Sequence, residues 1–156
     1  MTNVKWYLAG PMRGYEKYNF PAFEAAAKHL RELGYDIVSP HELDSKEIRE
    51  EALRSETGLI GESGKIGGET AGEILARDVR ILIDDLNGII FLPGWERSTG
   101  ARLEAFVGLL HNYPFFEYRA NEEEAFLEEL PQQVVAGVCV GQWVDKSTLQ
   151  KLGLVA

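Results

Sequence analysis

Asn87-Gly88-Ile89-Ile90-Phe91-Leu92-Pro93 is the stretch whose reading decides the fold. A turn pair opens it, an unbroken apolar run follows, and a proline that cannot donate to a ladder closes it. Such a run predicts a strand buried on both faces, which is the habit of parallel sheets covered by helices. The glycine-bearing loop from Gly94 to Gly100 comes next, and it leads into a helix whose apolar residues Leu103, Phe106, Val107 and Leu110 share a face.

The same alternation extends in both directions. Val4 to Ala9 is an apolar run stopped by Gly10-Pro11, which predicts a first strand followed by a loop. Asn19-Phe20-Pro21 opens a helix, with Asn19 placed to cap, Pro21 early in the first turn, and Phe23, Ala26, Ala27, Leu30 and Leu33 at helical spacing up to Gly34. Tyr35 to Ser39 reads as a second strand closed by Pro40, and Asp44 to Ser55 as a charged helix. Thr57 to Gly72, rich in glycine, reads as a mobile surface loop, either a lid or a disordered excursion. Glu73 to Asp84 follows as a helix with Ile74, Val79 and Leu82 inward, and Pro114 to Tyr118 as a fourth strand. Beyond Asn121 the pattern predicts a helix over Glu122 to Leu130, a strand or extended arm over Val134 to Val140, and a closing helix over Ser147 to Leu152. Strands alternating with helices predict an α/β fold with a mainly parallel sheet and helices on both faces. Ligands on such sheets bind beyond the carboxyl ends of the strands, which singles out the loops Gly10 to Asn19 and Gly94 to Gly100.

Composition narrows the partners. A chain of 156 residues fits one domain that buries a core without disulfides or metal. The net charge of −9 argues against a nucleic-acid polymer, whereas one small anion needs only a few backbone N–H groups and an arginine. Cys139 is the single cysteine, which suits a reducing, cytoplasmic compartment. The apolar run at the N-terminus is too short for a signal peptide or a membrane span, so no membrane partner is expected. His29, His41 and His111 show no ligand spacing, so neither a metal nor a cofactor is expected.

Ser98-Thr99-Gly100-Ala101-Arg102-Leu103-Glu104 is the stretch that suggests chemistry. It follows the strongest strand and opens a helix, so free N–H groups and the positive dipole end suit an anion held by Ser98, Thr99 and the Gly100 backbone. Glu104 lies in the second turn and can face the same crevice; the plainer alternative is a capping serine with a solvated glutamate.

Taken together, Tyr7 to Arg13, Asp78 with its helix, Ile89 to Pro93 and Ser98 to Glu104 resemble the nucleoside 2-deoxyribosyltransferase family and its nucleotide branch, the deoxynucleoside 5'-monophosphate N-glycosidases. Tyr-Leu-Ala-Gly-Pro-Met-Arg-Gly at 7 to 14 is similar to the opening of phage-associated members. The likeness covers residues 4 to 118 and leaves 119 to 156 as a C-terminal extension of a single domain, 1 to 156.

The resemblance implies a flavodoxin-like fold and a homo-oligomer whose site is completed by a neighbouring subunit. It also implies Glu104 as the nucleophile that attacks the anomeric carbon, Asp78 as the acid that serves the leaving base, and Tyr7 as the group that orients the nucleophile. On that chemistry Glu104 must be ionised, and the surroundings of Asp78 should raise its pKa above that of Glu104.

Gly10, Met12, Arg13, Gly14 and Asn19 in the first loop, with Phe20, Trp95, Ser98, Thr99 and Gly100, complete the candidate substrate-binding set. Arg13 is read as a phosphate partner or a solvated loop arginine, and Phe20 and Trp95 as base-stacking rings or as packing. Trp6 and Tyr7 must point to opposite faces of their strand. The resemblance implies, through a serine at position 98 as in the nucleotide branch together with Gly100 and Arg13, a nucleoside monophosphate as the small-molecule substrate over a free nucleoside, although Glu96 lies nearby. Base exchange, NAD-type glycohydrolysis and a catalytically silent nucleotide-binding module are the competing readings. Val134 to Val140 and Trp143 are either a cover for a neighbouring crevice or an ordinary terminal segment.

Overall fold

The computed structural model describes residues 3–121, 124–141, 146–151 and 153. The fold is α/β and flavodoxin-like: a five-stranded, mainly parallel sheet with helices on both faces. Its strands are β1 (Lys5–Ala9), β2 (Asp36–Val38), β5 (Gly88–Phe91), β6 (Phe115–Ala120) and β7 (Ala125–Leu130), in the order β2-β1-β5-β6-β7. The first four run parallel, with Tyr7 opposite Val38 on one side and Ile89 on the other, and β7 returns antiparallel along β6. A small hairpin of β3 (Lys65–Ile66) and β4 (Glu69–Thr70) stands apart.

Alternation along the strands divides the core between the two faces. Trp6, Leu8, Ile37, Ile90 and Leu92 pack against Phe23, Ala26, Ala27 and Leu30 of α1 (Phe20–Glu32). Tyr7, Ala9, Ile89, Phe91 and Phe115 pack on the other side. That second face is covered by α4 (Ala71–Asp85) with Leu82, by α5 (Thr99–Leu110) with Ala101 and Ala105, and by α6 (Gln132–Val140) with Val135 and Cys139. The short helices α2 (Pro40–Leu43) and α3 (Lys46–Arg54) follow β2, and α7 (Lys146–Lys151) lies near the end. Among the described residues no helix is long and apolar enough to cross a membrane.

Several expectations change. The apolar residues of α5 do not share one buried face: Leu103, Phe106 and Leu110 are exposed, while Ala101, Glu104, Ala105, Val107 and Gly108 face inward. Close approach is the reason, since a Cβ on Gly108 would stand 2.8 Å from Ile89 and 2.9 Å from Phe115. The Glu-rich stretch expected as a helix is β7, because Phe126, Leu127 and Leu130 pair along β6 instead. Glu122 lies outside the described residues. Val134 to Val140 is helical: α6 lays Val135 and Cys139 into the core beside Ala101 and Ala105 of α5, and tertiary packing overrides the β-branched run. The closing helix is present as α7; Leu152 and Trp143 lie outside the described residues.

Thr57 to Gly72 is neither a free lid nor an excursion. The Gly58 carbonyl accepts from Gly14 N–H at 2.8 Å, and Gly67 N–H donates to Glu51 Oε2 at 2.6 Å. Both glycines have positive φ, and a Cβ on either would clash with backbone, at Tyr15 for Gly58 and at Ile48 for Gly67. The hairpin is thereby docked on the first loop and on α3, and it delivers the chain to Thr70, whose reciprocal bonds with Glu73 start α4.

Candidate active site

The carboxyl ends of β1 and β5 open into a cavity of about 430 Å³. Tyr7 comes from β1, Asp78 from the middle of α4 and Glu104 from the second turn of α5; all three line the cavity and all three are buried. Ser98 caps α5 by accepting from Ala101 N–H at 3.2 Å, which fixes the register that turns Glu104 inward. Small Ala101, Ala105 and Gly108 let the helix lie close enough to the sheet for that carboxyl to reach the cavity from below.

Of the expected binding residues, Gly10, Met12, Arg13, Phe20, Ser98, Thr99 and Gly100 also line the cavity. Three do not. Trp95 is 1% exposed and stacks on Phe91 with centroids 4.0 Å apart, so its ring is core packing and is not offered to a base. Asn19 has a left-handed backbone and makes no side-chain cap; its Nδ2 instead donates to the Pro11 carbonyl at 2.9 Å, tying the first loop together. Gly14 faces the Gly58 carbonyl rather than the cavity. Its positive φ serves the turn.

The cavity also recruits residues that the sequence did not single out. Arg97 joins Arg13 at the mouth, and neither side chain has a hydrogen-bond or ion-pair partner among the described residues. Tyr15, Tyr18, Ile48, Ile60, Ile66 and Ile74 form much of the wall, and Asp44 adds a third carboxyl. Arg97 was recognisable as the residue just before the helix cap. Ile74 was expected to face inward from its helix, whereas Ile48, Ile60 and Ile66 carried no such signal, because their meeting depends on how the hairpin docks.

Burial dominates the electrostatics. Glu104 is pushed up to about 8, chiefly by desolvation, with the Asp78 charge adding to it and the Tyr7 hydroxyl and Arg77 drawing it down. Asp78 is raised to about 6 by burial, against the opposing pull of Arg77. The order is therefore opposite to the expected one: a guanidinium sits directly on Asp78, and among the described residues none forms an ion pair with Glu104. The Tyr7 hydroxyl faces both carboxyls and is pushed well above its ordinary range by burial, yet among the described residues no group meets its oxygen at good hydrogen-bond geometry.

A second groove, of about 750 Å³, runs between α1, α2 and α3. It is lined by Lys28, Arg31 and Arg49 against Glu24, Glu32 and Glu42, all exposed, and it holds no buried carboxyl. Among the described residues no group of three or more His, Cys, Asp or Glu side chains has the geometry to hold a metal ion.

Comparison with known proteins adds one likeness. Neither a curated protein nor a solved structure matches the chain. Residues 4–67 match a family described as a domain of unknown function, DUF4406; that stretch carries Tyr7 and the first loop and ends before Asp78 and Glu104.

Proposed function

We propose that this protein cleaves the N-glycosidic bond of a (deoxy)nucleoside 5'-monophosphate and releases the free base. One observation carries the reading: two buried carboxyls, Glu104 and Asp78, face a single tyrosine hydroxyl in a cavity that also takes in the first loop and the start of α5. Arg13, Arg97, Ser98, Thr99 and Gly100 at the mouth favour a phosphate-bearing substrate over a bare nucleoside. The cavity volume falls within the roughly 300–1,000 Å³ of small-molecule sites. A homo-oligomer in a reducing compartment belongs to the same proposal, supported by the exposed apolar side of α5 and the lone buried Cys139.

In the reaction, a Glu104 carboxylate oxygen attacks the anomeric carbon. The bond to the base breaks, its electron pair leaves with the base nitrogen, and that nitrogen takes the proton carried by Asp78. Water then attacks the same carbon and gives a proton to Asp78, while the ester electron pair returns to Glu104. Two carboxyls sharing one proton are what these steps need, and between about pH 6 and about pH 8 the pair holds one. Its resting place on Glu104 must change as substrate binds. Positive charge developing at the sugar favours ionised Glu104, and the Tyr7 hydroxyl faces both partners of the exchange.

The test is a chromatographic screen of nucleosides, their monophosphates and NAD for released base, with Glu104→Gln alongside. Release from at least one monophosphate, abolished in a folded Glu104→Gln chain, is the expected result. Binding without turnover across the panel would favour a silent module instead.

A further inference from the structure

Arg77 stands beside Asp78 on α4, yet neighbours in a helix do not ordinarily face one another. Here the guanidinium folds back: Nε and Nη2 donate to Asp78 Oδ1 at 2.9 and 2.6 Å, leaving Oδ2 outside the ion pair. The other edge reaches the junction of α2 and α3. Nη1 pairs with Asp44 Oδ1 at 2.8 Å and donates to the Leu43 carbonyl at 2.9 Å, and Nη2 lies 3.5 Å from the Pro40 carbonyl. The two carboxylate side chains are only 5% and 8% exposed. A fork held at both edges cannot swing, and a carboxyl bonded twice through one oxygen is fixed in direction.

We infer that Arg77, braced by Asp44, is a positioning residue that aims the Asp78 carboxyl and sets the direction in which the proton shared with Glu104 moves. The inference rests on the N-glycosidase reading and adds to it residues that touch no substrate. Every charged or titratable neighbour takes part. Arg77 from the same helix favours ionised Asp78, Asp44 from the α2–α3 junction opposes it, the Tyr7 hydroxyl from β1 also favours the ionised form, and Glu104 from α5 shares its field. Asp44 in turn is raised by its burial, which outweighs the pull of Arg77, with lesser effects from Glu69 and Arg49.

The two ends of the brace make predictions of opposite sign. Removing the cation with Arg77→Met leaves Asp78 buried beside Asp44, so its titration midpoint moves up; Asp44→Asn removes a like charge and moves it down. The experiment is carboxyl-carbon NMR titration of Asp78 in the full chain and in both variants, with thermal unfolding to establish folding and kcat and KM measured across pH. A shift of about one unit, a tenfold change in proton affinity, is expected for Arg77→Met. Its kcat should fall at least about tenfold with KM within about threefold, the pattern of an interaction made in the transition state. Arg77→Lys keeps the charge and loses the fork, so it should hold the midpoint near that of the parent and still lose kcat. That variant carries the measurement if Arg77→Met does not fold. Midpoints that stay put, or move the same way, in folded Arg77→Met and Asp44→Asn would overturn the inference, as would a folded Arg77→Lys chain that keeps the parent kcat. Absence of base release from the parent chain would instead sink the glycosidase reading, while the NMR titration still decides whether the brace operates.

Discussion

Glu104 couples stability to chemistry through one proton. Its ordinary value of 4.5 is raised to about 8, so between those limits the folded chain keeps a proton that the unfolded chain has lost. Stability must therefore decline as pH rises through that window, and Asp78 adds a smaller decline of the same sign between 3.8 and about 6. Glu104→Gln should flatten most of this slope and melt higher than the parent at pH 9, while losing base release; melting curves from pH 5 to 9 check it. Activity should follow a bell, with limbs near pH 6 and pH 8, because below the first both carboxyls are protonated and above the second neither is. Tyr7→Phe removes a hydroxyl that holds Glu104 down, so the alkaline limb should move to higher pH as kcat falls. Arg13→Ala should raise KM for the monophosphate at least about tenfold and leave the matching nucleoside nearly unaffected, as expected when a contact to phosphate is lost.

At the scale of elements, glycine decides how closely the pieces fit. Gly67→Ala places a methyl 2.4 Å from the Ile48 nitrogen at a φ of 54°, and should cost about 3 kcal/mol and raise KM by loosening the hairpin wall; denaturant unfolding with steady-state kinetics tests both effects. The first strand, the helix from Phe20 and the central run at Ile89 were legible because their apolar periods are strong and their ends are marked by Gly, Pro or a capping position. The placement of Tyr7, Asp78 and Glu104 in one cavity followed from topology, which brings β1 and the start of α5 beside the middle of α4. Helix α5 misled for a physical reason: its inward face is built of small residues that a search for large apolar side chains passes over. The strand β7 misled because glutamates also favour helices, and only pairing with β6 decided the matter. The protonation order was hidden for a similar reason, since the burial that raises Glu104 depends on how closely α5 lies on the sheet.

For the whole molecule, the outward side of α5 leaves Leu103, Phe106 and Leu110 at 42%, 46% and 67% exposure, one helical stripe on the element that carries Glu104. If a second copy covers it, sedimentation at micromolar concentration should show a dimer or larger, and Phe106→Glu should shift the population toward monomer. The margins of the sheet bear on how copies meet. On one flank β2 spans only Asp36 to Val38, and on the other β7 carries Glu128 and Glu129. Unpaired backbone groups on so brief a rung, and on one guarded by acid side chains, give a stray extended segment little to zip onto. Self-association by ladder extension, the route toward fibrils, is thereby discouraged, and contact through helical surfaces is left as the favoured way for copies to come together.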